Sequence, residues 1–313
     1  MMETSNSGHL IRSEIWSSQL KEVLEDELFA QQWVNWLSEF PDGDQFTVPS
    51  VGQAQVNDYD ENEAVQYRAL DTGEFTFTIG NYKQSGIYIT NKNKQDLFYM
   101  NQLVSSFVPK MERAIMTSVE TNILGLQSQQ TASDVNAING ARHRFVAGGT
   151  DEVVKLADFA KARFALKKAN VPDTNLIGIV DPSVEVTLNT LSNLTSVSDN
   201  PRWEGIITSG IATGMRFVKN VYGFDIYVSN NLADANETID SVTTTAGKAN
   251  MFFSAASDVL PFMGAWRQMP TVDSSYNKDF QRDEYVVTAR WGSKLYRPEN
   301  LVCILSDTDQ VYA

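Results

Sequence analysis

The sequence predicts an α+β fold, in which helices and antiparallel strands occupy separate stretches of the chain. Apolar residues recur at steps of three and four between positions 95 and 128, as they do along a helix. Within 46–92 they alternate with polar residues, as they do along strands. A helix, a short buried strand and a second helix follow between 151 and 191, and further strands come after them, which together indicate a mixed architecture.

The negative charge of the chain is concentrated near its beginning. The 313 residues carry a net charge of −14, and the first 75 hold fifteen acidic residues against three basic ones, which leaves −12 there and −2 over the rest. Charge asymmetry governs association rather than fold. We therefore expect the first quarter to meet a different surface from the body, with a merely solvated acidic arm as an equal alternative.

The sequence contains neither a run of 18 apolar residues nor the basic flank and apolar centre of a signal peptide. We therefore expect no membrane partner and a protein that stays in the compartment where it is made. The single cysteine, Cys303, cannot form an internal disulfide. Packing, partner subunits or both are expected to supply the stability.

The segment "SEIWSSQLKEVLEDELFAQQWVNWLSEF" has nearly helical apolar spacing and predicts a helix that ends near Phe40, before the helix breakers in "PDGD". Its apolar residues include Trp16, Leu28, Trp33 and Trp36. They offer too little apolar surface for an independent domain, so we expect this side of the segment to dock on another surface.

A β-hairpin is predicted within 46–92. Alternating residues of "AVQYRAL" and "EFTFTI" give two strands, and "LDTGEF" between them supplies turn residues. The residues concerned are Val65, Tyr67 and Ala69 in the first strand, Asp71, Thr72 and Gly73 in the turn, and Phe75, Phe77 and Ile79 in the second strand. Because a two-stranded ribbon is marginal in water, it must lie against the chain's own core or against another subunit.

The helical stretch 95–128 predicts a rod of roughly 50 Å, which Pro109 should kink or divide. Thr150 is predicted to cap a following helix, "NLIGIV" to form a buried strand, and Asp181 to cap a helix that begins at Pro182.

Four later stretches have strand patterns. "GMRFVKNVYGFDIYVSNNL" predicts two strands joined near Lys219 and Asn220, and "ANMFFSAA", "DEYVVTARWGSKLYRP" and "ENLVCILSD" predict one strand each. Phe224, Ile226 and Val228 fall on one face and are expected to pack inward.

Catalytic chemistry finds little support in the sequence. The two histidines are His9 and His143, and Cys303 lies in the apolar run "LVCIL", which favours an inert core thiol over a Cys-His nucleophile. Metal-binding spacings and phosphate loops are missing from the sequence, so neither a metal nor a cofactor is expected. A loose basic patch between Arg142 and Lys168 is better explained as a solvated helix face than as a phosphate site.

The order of these elements, together with three stretches, resembles the major capsid protein of tailed bacteriophages, the Hong Kong 97 fold. "GFDIYVSNNL" resembles the family's Gly-hydrophobic strand that ends in Ser-Asn. "YVVTARWGSKLYRPENLVCIL" is similar to its strand, Trp-Gly turn, strand and "RPE" run, and "ANVPDTNLIGIVDPSV" to the helix, strand and helix start of its apical domain.

The resemblance implies a capsid fold made of five parts along the chain. These are an N-arm at 1–45, an extended loop at 46–92, a spine helix at 93–130, an axial domain at 131–275 and peripheral-domain strands at 276–313. The extended loop would lie over an adjacent subunit through Tyr67, Asp71, Thr72, Gly73, Phe75 and Phe77. The N-arm would dock through Trp16, Leu28, Trp33 and Trp36.

A structural protein without enzymatic activity is implied, which self-assembles as pentamers and hexamers into an icosahedral shell around viral DNA. The implied partners are copies of the chain, a separate scaffolding protein, a portal, an optional decoration protein and double-stranded DNA held by non-specific contact. The implied location is the virion, after assembly in the host cytoplasm. The family's cross-link is not implied, because Lys83 lies near the return of the hairpin and no partner residues match.

Two alternatives remain at this point. An encapsulin-like bacterial nanocompartment would have the same fold, but residues 1–45 argue mildly against it. A hydrolase that uses dispersed carboxylates belongs to a different class, and composition alone does not exclude it.

Overall fold

The computed structural model describes residues 28–37, 45–51, 72–96, 100–129, 137–190 and 220–308. Its strands are β1 (Val34–Leu37), β2 (Gln45–Val51), β3 (Thr72–Thr78), β4 (Asn81–Thr90), β5 (Ala137–Ile138), β6 (Ala141–Arg142), β7 (Arg144–Val146), β8 (Leu176–Val180), β9 (Asn220–Val221), β10 (Phe224–Val228), β11 (Thr238–Ile239), β12 (Val242–Thr243), β13 (Gly247–Ser254), β14 (Phe262–Asn277), β15 (Arg282–Leu295) and β16 (Val302–Asp307). Its α-helices are α1 (Asn91–Asp96), α2 (Met100–Gly125), α3 (Leu156–Lys168) and α4 (Pro182–Thr190). This mixture of helices and sheets agrees with the predicted α+β class.

Two larger sheets organise the described part of the chain. One has four strands in the order β1-β14-β15-β4, and the other has six in the order β7-β16-β13-β8-β10-β9. Three two-stranded ribbons, β2–β3, β5–β6 and β11–β12, accompany them. After β13 of the six-stranded sheet, the chain passes back to the four-stranded sheet at β14 and β15 and returns to the six-stranded sheet at β16.

Neighbouring residues of the six-stranded sheet contribute to two separate cores. Phe253 and Cys303 belong to a core shared with α2 and the four-stranded sheet. Phe252 and Val302 belong to a second core formed with α3 and α4. Successive side chains of a strand point to opposite faces, so this sheet separates the two cores.

The long helix α2 confirms the helix that the apolar spacing between 95 and 128 predicts. Its buried residues Met111, Ile115, Val119 and Ile123 recur at steps of four and face the first core. Pro109 was predicted to kink or divide the helix; it lies inside α2, which continues through it, so the helix is not divided.

Several elements start as the sequence predicts. β8 is buried along its whole length, and the backbone N–H of Ser183 donates to Asp181 Oδ2 at 2.9 Å at the start of α4. Phe224 is fully buried, and Ile226 and Val228 pack on the same core, as their alternation predicts.

The predicted N-terminal helix is wrong for the described residues 28–37. Ala30–Trp33 form a short 3₁₀ turn and Val34–Leu37 form strand β1, which pairs in parallel with the beginning of β14. Valine and tryptophan suit a strand, and pairing with a neighbouring strand overrides the local helical spacing.

The predicted hairpin turn at Asp71–Gly73 is also wrong where the structure describes it. Thr72 and Gly73 lie in β3, paired with Val51 and Ser50 of β2. Backbone pairing with β2 thus keeps Thr72 and Gly73 in a strand, although their composition suits a turn. Val65, Tyr67, Ala69 and Asp71 lie outside the described residues.

Two further predictions of local structure need correction. Asp151 and Glu152 have left-handed φ angles of 55°, so no helix runs on from Thr150, and α3 starts after Lys155, whose N–H donates to Asp158 Oδ2 at 3.0 Å. The turn between β9 and β10 lies at Tyr222 and Gly223, with φ of 50° and 91°, rather than near Lys219 and Asn220. Two consecutive positive φ values are typical of a tight hairpin turn.

Sheet membership does not follow the implied boundary at residue 275. β14, mostly within the implied axial range, lies in the four-stranded sheet, and β16, within the implied peripheral range, lies in the six-stranded sheet. Within the described ranges, no helix is both long and apolar enough to cross a membrane.

Candidate functional site

The described part of the N-terminal segment ends in an aromatic cluster, which we call the arm root (residues 28–37). Trp33 is 6% exposed, and its ring lies 5.4 Å from Phe29, 5.0 Å from Tyr227 and 5.7 Å from Phe253, measured between centroids. Leu28 is half-buried beside this cluster. The arm root is therefore packed on the chain's own six-stranded sheet.

A buried carboxylate on α2 fixes the backbone of the arm root. Glu120 is fully buried and accepts hydrogen bonds from the N–H of Phe29 at 3.2 Å and from the N–H of Ala30 at 2.9 and 3.0 Å. Hydrogen bonds to a charged acceptor are stronger than neutral ones. Sequence reasoning missed this residue, although an acid beside the buried stripe at Val119 and Ile123 was a visible signal.

Strand β1 is held by the fit of Trp36 over a glycine. A Cβ atom at Gly264 would lie 2.7 Å from the Trp36 ring, so only glycine leaves room for it. The same ring stacks on Trp266 at 5.0 Å, and its Nε1–H donates to Gln31 O at 3.0 Å. Trp33 and Trp36 thus both dock the arm, but on two different surfaces of the same chain.

The ribbon β2–β3 has an anchored base, which we call the loop root (residues 75–79). The Phe75 ring lies edge-on to Tyr296 at 5.0 Å and 4.8 Å from Lys294 Nζ, and that ammonium group donates to Thr76 O at 2.8 Å. Ile79 is buried against Met263 and Ala265. Cation–π and aromatic contacts of this kind add to the apolar burial.

Gly292 lets the loop root cross the four-stranded sheet. A Cβ atom at this position would lie 2.7 Å from Thr78 O and 2.9 Å from Ile79 Cα, both backbone atoms. Gly292 pairs with Ala265 inside β15, so the predicted Trp-Gly turn is wrong. The glycine serves close backbone approach instead.

Asn122 of α2 joins the loop root to the sheet. Its Oδ1 accepts hydrogen bonds from Ser293 Oγ at 2.7 Å, from Asn81 Nδ2 at 3.2 Å and from Trp291 Nε1 at 3.4 Å. Asn81 begins β4, two residues after the loop root. One amide therefore connects α2, the start of β4 and β15.

A buried guanidinium on β7 connects the segment that follows α2 to the segment that precedes β11. Arg144 is fully buried and donates to Glu237 from Nε at 2.9 Å and from Nη2 at 2.5 Å, and to Gln127 Oε1 from Nη1 at 2.6 Å. Burial acts to lower the pKa of the Arg144 guanidinium, but its hydrogen bonds to Glu237 and its interactions with Cys303 and the charge of Glu237 together outweigh burial and raise that pKa above its usual value.

The structure does not make an activated Cys-His nucleophile of Cys303 and His143. Burial raises the pKa of the Cys303 thiol from 9.0 to about 11, with Arg144 opposing the shift, so the thiol is protonated at neutral pH. His143 is also fully buried; its backbone carbonyl accepts a hydrogen bond from the N–H of Cys303 at 2.8 Å, and its Nδ1 lies 3.2 Å from Ala141 O. Within the described ranges, no three His, Cys, Asp or Glu side chains are grouped so that they could hold a metal ion.

The structure describes some of the predicted site residues. Those with described packing contacts lie at two separate places, the arm root and the loop root. Trp33, Trp36 and Leu28 lie at the arm root, and Phe75 lies at the loop root. Phe77 is paired with Phe46 in the ribbon, and Trp16, Tyr67 and Asp71 lie outside the described residues.

We expect Glu120→Leu to release the arm root. The N–H groups of Phe29 and Ala30 would lose a charged acceptor, which costs about 2 kcal/mol of unfolding free energy. Hydrogen exchange followed by mass spectrometry should show faster exchange at residues 29 and 30. Glu120→Gln keeps one acceptor oxygen, so its exchange rate should lie between those of the native chain and Glu120→Leu. Glu112→Gln, at an exposed site of α2, is the control. Unchanged exchange in Glu120→Leu would contradict the assignment.

Cys303 should make the fold sensitive to alkaline pH. Its folded pKa is raised from 9.0 to about 11, so the stability of the native chain is retained below pH 9 and is lost as the pH rises towards 11. The loss amounts to about 3 kcal/mol at most. Urea unfolding of the native chain and of Cys303→Ala between pH 8 and 11 isolates the contribution of Cys303, because all other groups titrate in both proteins. Parallel pH profiles would rule out the effect.

Known proteins of the same fold were found among solved structures, whereas no curated protein matches. A structure titled Mycobacterium phage Che8 is 18% identical over 95% of this chain and 97% of that chain, with a TM-score of 0.68. The capsid structure of Cyanophage P-SCSP1u is 15% identical over 95% and 93%, with a TM-score of 0.72. The capsid of Ralstonia phage GP4 is 9% identical over 98% of both chains, with a TM-score of 0.66. These matches confirm the capsid fold that the resemblance implies.

A family model described as phage capsid protein matches residues 76–304, which is more than two thirds of the chain. The match begins in the loop root and includes α2, every strand from β4 to β15 and the first half of β16. Neither it nor the three structures favours the nanocompartment or the hydrolase. The chain therefore belongs to the phage capsid protein family and is a structural subunit of a capsid shell.

Proposed function

We propose that this capsid protein is the major subunit of an icosahedral shell, built from pentamers and hexamers around a double-stranded DNA genome. One observation carries the proposal: the ribbon β2–β3 is anchored at its root and exposed beyond it. The ribbon pairs with no third strand among the described residues. Thr47, Pro49, Gly73 and Glu74 are exposed, whereas Ile79 at the root is buried.

A ribbon of this kind is marginal in water and needs support along its exposed part. Residues 52–71 connect its two strands and include Tyr67 and Asp71. We place this extended loop over an adjacent subunit, where the missing support is available. The N-arm, which includes Trp16, is proposed to make a second contact between subunits.

The two sheets suggest how the domains are arranged. The six-stranded sheet with α3 and α4 corresponds in this proposal to the axial domain around the five-fold and six-fold axes. The four-stranded sheet with α2 corresponds to the peripheral domain. Boundaries near 255–261 and 296–301, where the chain passes between the sheets, fit the strand order better than one at residue 275.

Other partners complete the proposed role. The body of the chain carries a net charge of only −2, so it would not strongly repel packaged DNA held by non-specific contact. A scaffolding protein, a portal and an optional decoration protein are proposed partners in assembly. We propose that assembly takes place in the host cytoplasm and that the finished protein resides in the virion without an enzymatic role.

Replacement of residues 52–71 by Asn-Gly tests the extended loop. The two-residue link can close β2 and β3 as a tight hairpin, so we expect the subunit to keep its fold but to form no shells. Circular dichroism during heating reports the fold, and sedimentation with negative-stain imaging reports shells after co-expression with the assembly partners. Normal shells would contradict the proposal. Loss of the fold would show that residues 52–71 belong to the chain's own core.

Gly292→Ala should impair assembly by displacing the loop root. The added methyl group would collide with the backbone at Thr78 and Ile79, which cannot move without shifting the ribbon. We expect about 1–3 kcal/mol of lost stability and a clear fall in particle yield, measured by sedimentation. Gly86→Ala is the matched control in the same sheet, because its Cβ would meet neighbours at an ordinary 3.5 Å. Equal yields from the two variants would contradict the role of Gly292.

A further inference from the structure

A groove of about 450 Å³ lies beside α3 and is distinct from both roots. Its floor is Phe145 of β7, its wall is formed by Phe164 and Ala165 of α3, and Ile239 and Val242 of the β11–β12 ribbon close the other side. Phe164 is 55% exposed and Val242 39% exposed. The groove thus offers apolar side chains to an occupant from outside.

Two tight hairpins make the rim of this groove rigid. The turn of β5–β6 has positive φ at Asn139 and Gly140, and the turn of β11–β12 has positive φ at Asp240 and Ser241. An ion pair between Arg142 and Asp240 joins the two hairpins. Asn139 Nδ2 also donates to Lys168 O at 2.8 Å, which ties the rim to the end of α3. A preformed rim of this kind lowers the entropic cost of binding.

Two lysines border the apolar surface. Lys161 Nζ lies 5.8 Å from the centre of the Phe145 ring, and Lys168 Nζ lies 5.7 Å from that of Phe164. Asp158 accepts a hydrogen bond from Lys161, whereas Lys168 is exposed at the helix end. An occupant that suits this groove combines apolar side chains with carboxylates.

Residues 1–27 of the chain have this composition. They carry six acidic residues against two basic ones, and Leu20, Val23 and Leu24 recur at helical steps. Amphipathic segments with such spacing commonly dock their apolar side in a hydrophobic groove. We propose that the groove beside α3 binds the acidic N-terminal segment, residues 1–27, of a neighbouring subunit; this inference rests on the proposed shell.

The neighbour is favoured over the same chain because of where the segment is attached. Trp33 of the arm root contacts Phe253, whereas α3 packs on Phe252 through Phe159 at 5.3 Å. These adjacent residues of β13 point to opposite faces, so the six-stranded sheet separates a subunit's arm root from the α3 wall of its own groove. Twenty-seven residues span at most about 90 Å, which suffices to reach another copy in a shell.

Photo-cross-linking of the full chain tests this contact. Benzoylphenylalanine is placed at Phe164, shells are assembled from an equal mixture of ¹⁴N and ¹⁵N chains, and cross-linked peptides are identified by mass spectrometry. We expect peptides from residues 1–27, with about half of the cross-links joining a light to a heavy chain. Cross-links confined to one isotope, or directed to another segment or another protein, would overturn the proposal. The same label at the exposed Tyr82 is the control and should not capture residues 1–27.

Lys168→Glu combined with Phe164→Ser gives an independent measurement. Loss of a cation and of an apolar contact should expose residues 1–27 in the shell and speed their proteolysis about tenfold. Phe280→Ser, which removes a 66% exposed apolar side chain from the turn between β14 and β15, should leave this rate unchanged. Equal rates in both variants would refute the groove contact. If the native chain forms no shells, the proposed function itself is wrong. Imaging of the native particles detects that outcome separately from loss of the groove contact.

Discussion

Hydrogen bonds accepted by side chains near the end of α2 hold four separate parts of the chain in place. Glu120 accepts from the arm root, Asn122 from β4 and β15, Gln127 from Arg144, and Gln129 Oε1 from the N–H of Leu295 at 3.1 Å. These acceptors lie within about ten residues, or roughly 15 Å of helix and its extension. Apolar packing alone is not directional, so these polar contacts determine where each connected segment leaves the core.

The buried charges make this arrangement specific because each is costly without its partner. Arg144 donates two hydrogen bonds to Glu237 and two to Gln127, and removal of Glu237 would leave the guanidinium buried without its counter-charge. Glu120 plays a corresponding role for the backbone of Phe29 and Ala30. A shifted arm root would leave a buried carboxylate without these donors, so alternative positions are disfavoured.

Elements that depend only on residues close in sequence were predicted correctly from the sequence pattern. The stripe of α2, the apolar run of β8 and the Asp181-Pro182 helix start required no knowledge of distant residues. β1 was predicted as helix because its partner, β14, lies more than 220 residues away and was itself missed, since Pro270 and a polar run obscure its pattern. The roles of Gly264 and Gly292 depend on which backbone or ring crosses them, and no sequence pattern carries that information.

Trp36 of the arm root and residues 78–79 of the loop root cover opposite faces of the four-stranded sheet. Trp36 covers Gly264 on the face that Trp266 and Trp291 share with α2, whereas Thr78 and Ile79 cross Gly292 on the other face. A subunit that extends one segment from each face can contact different neighbours with each. Head-to-tail contacts close into rings when the rotation between subunits divides the full circle, and the proposed pentamers and hexamers require two such rotations. In the proposed shell each segment must therefore leave the core from a defined position, which two glycines and one helix end provide without any reactive side chain.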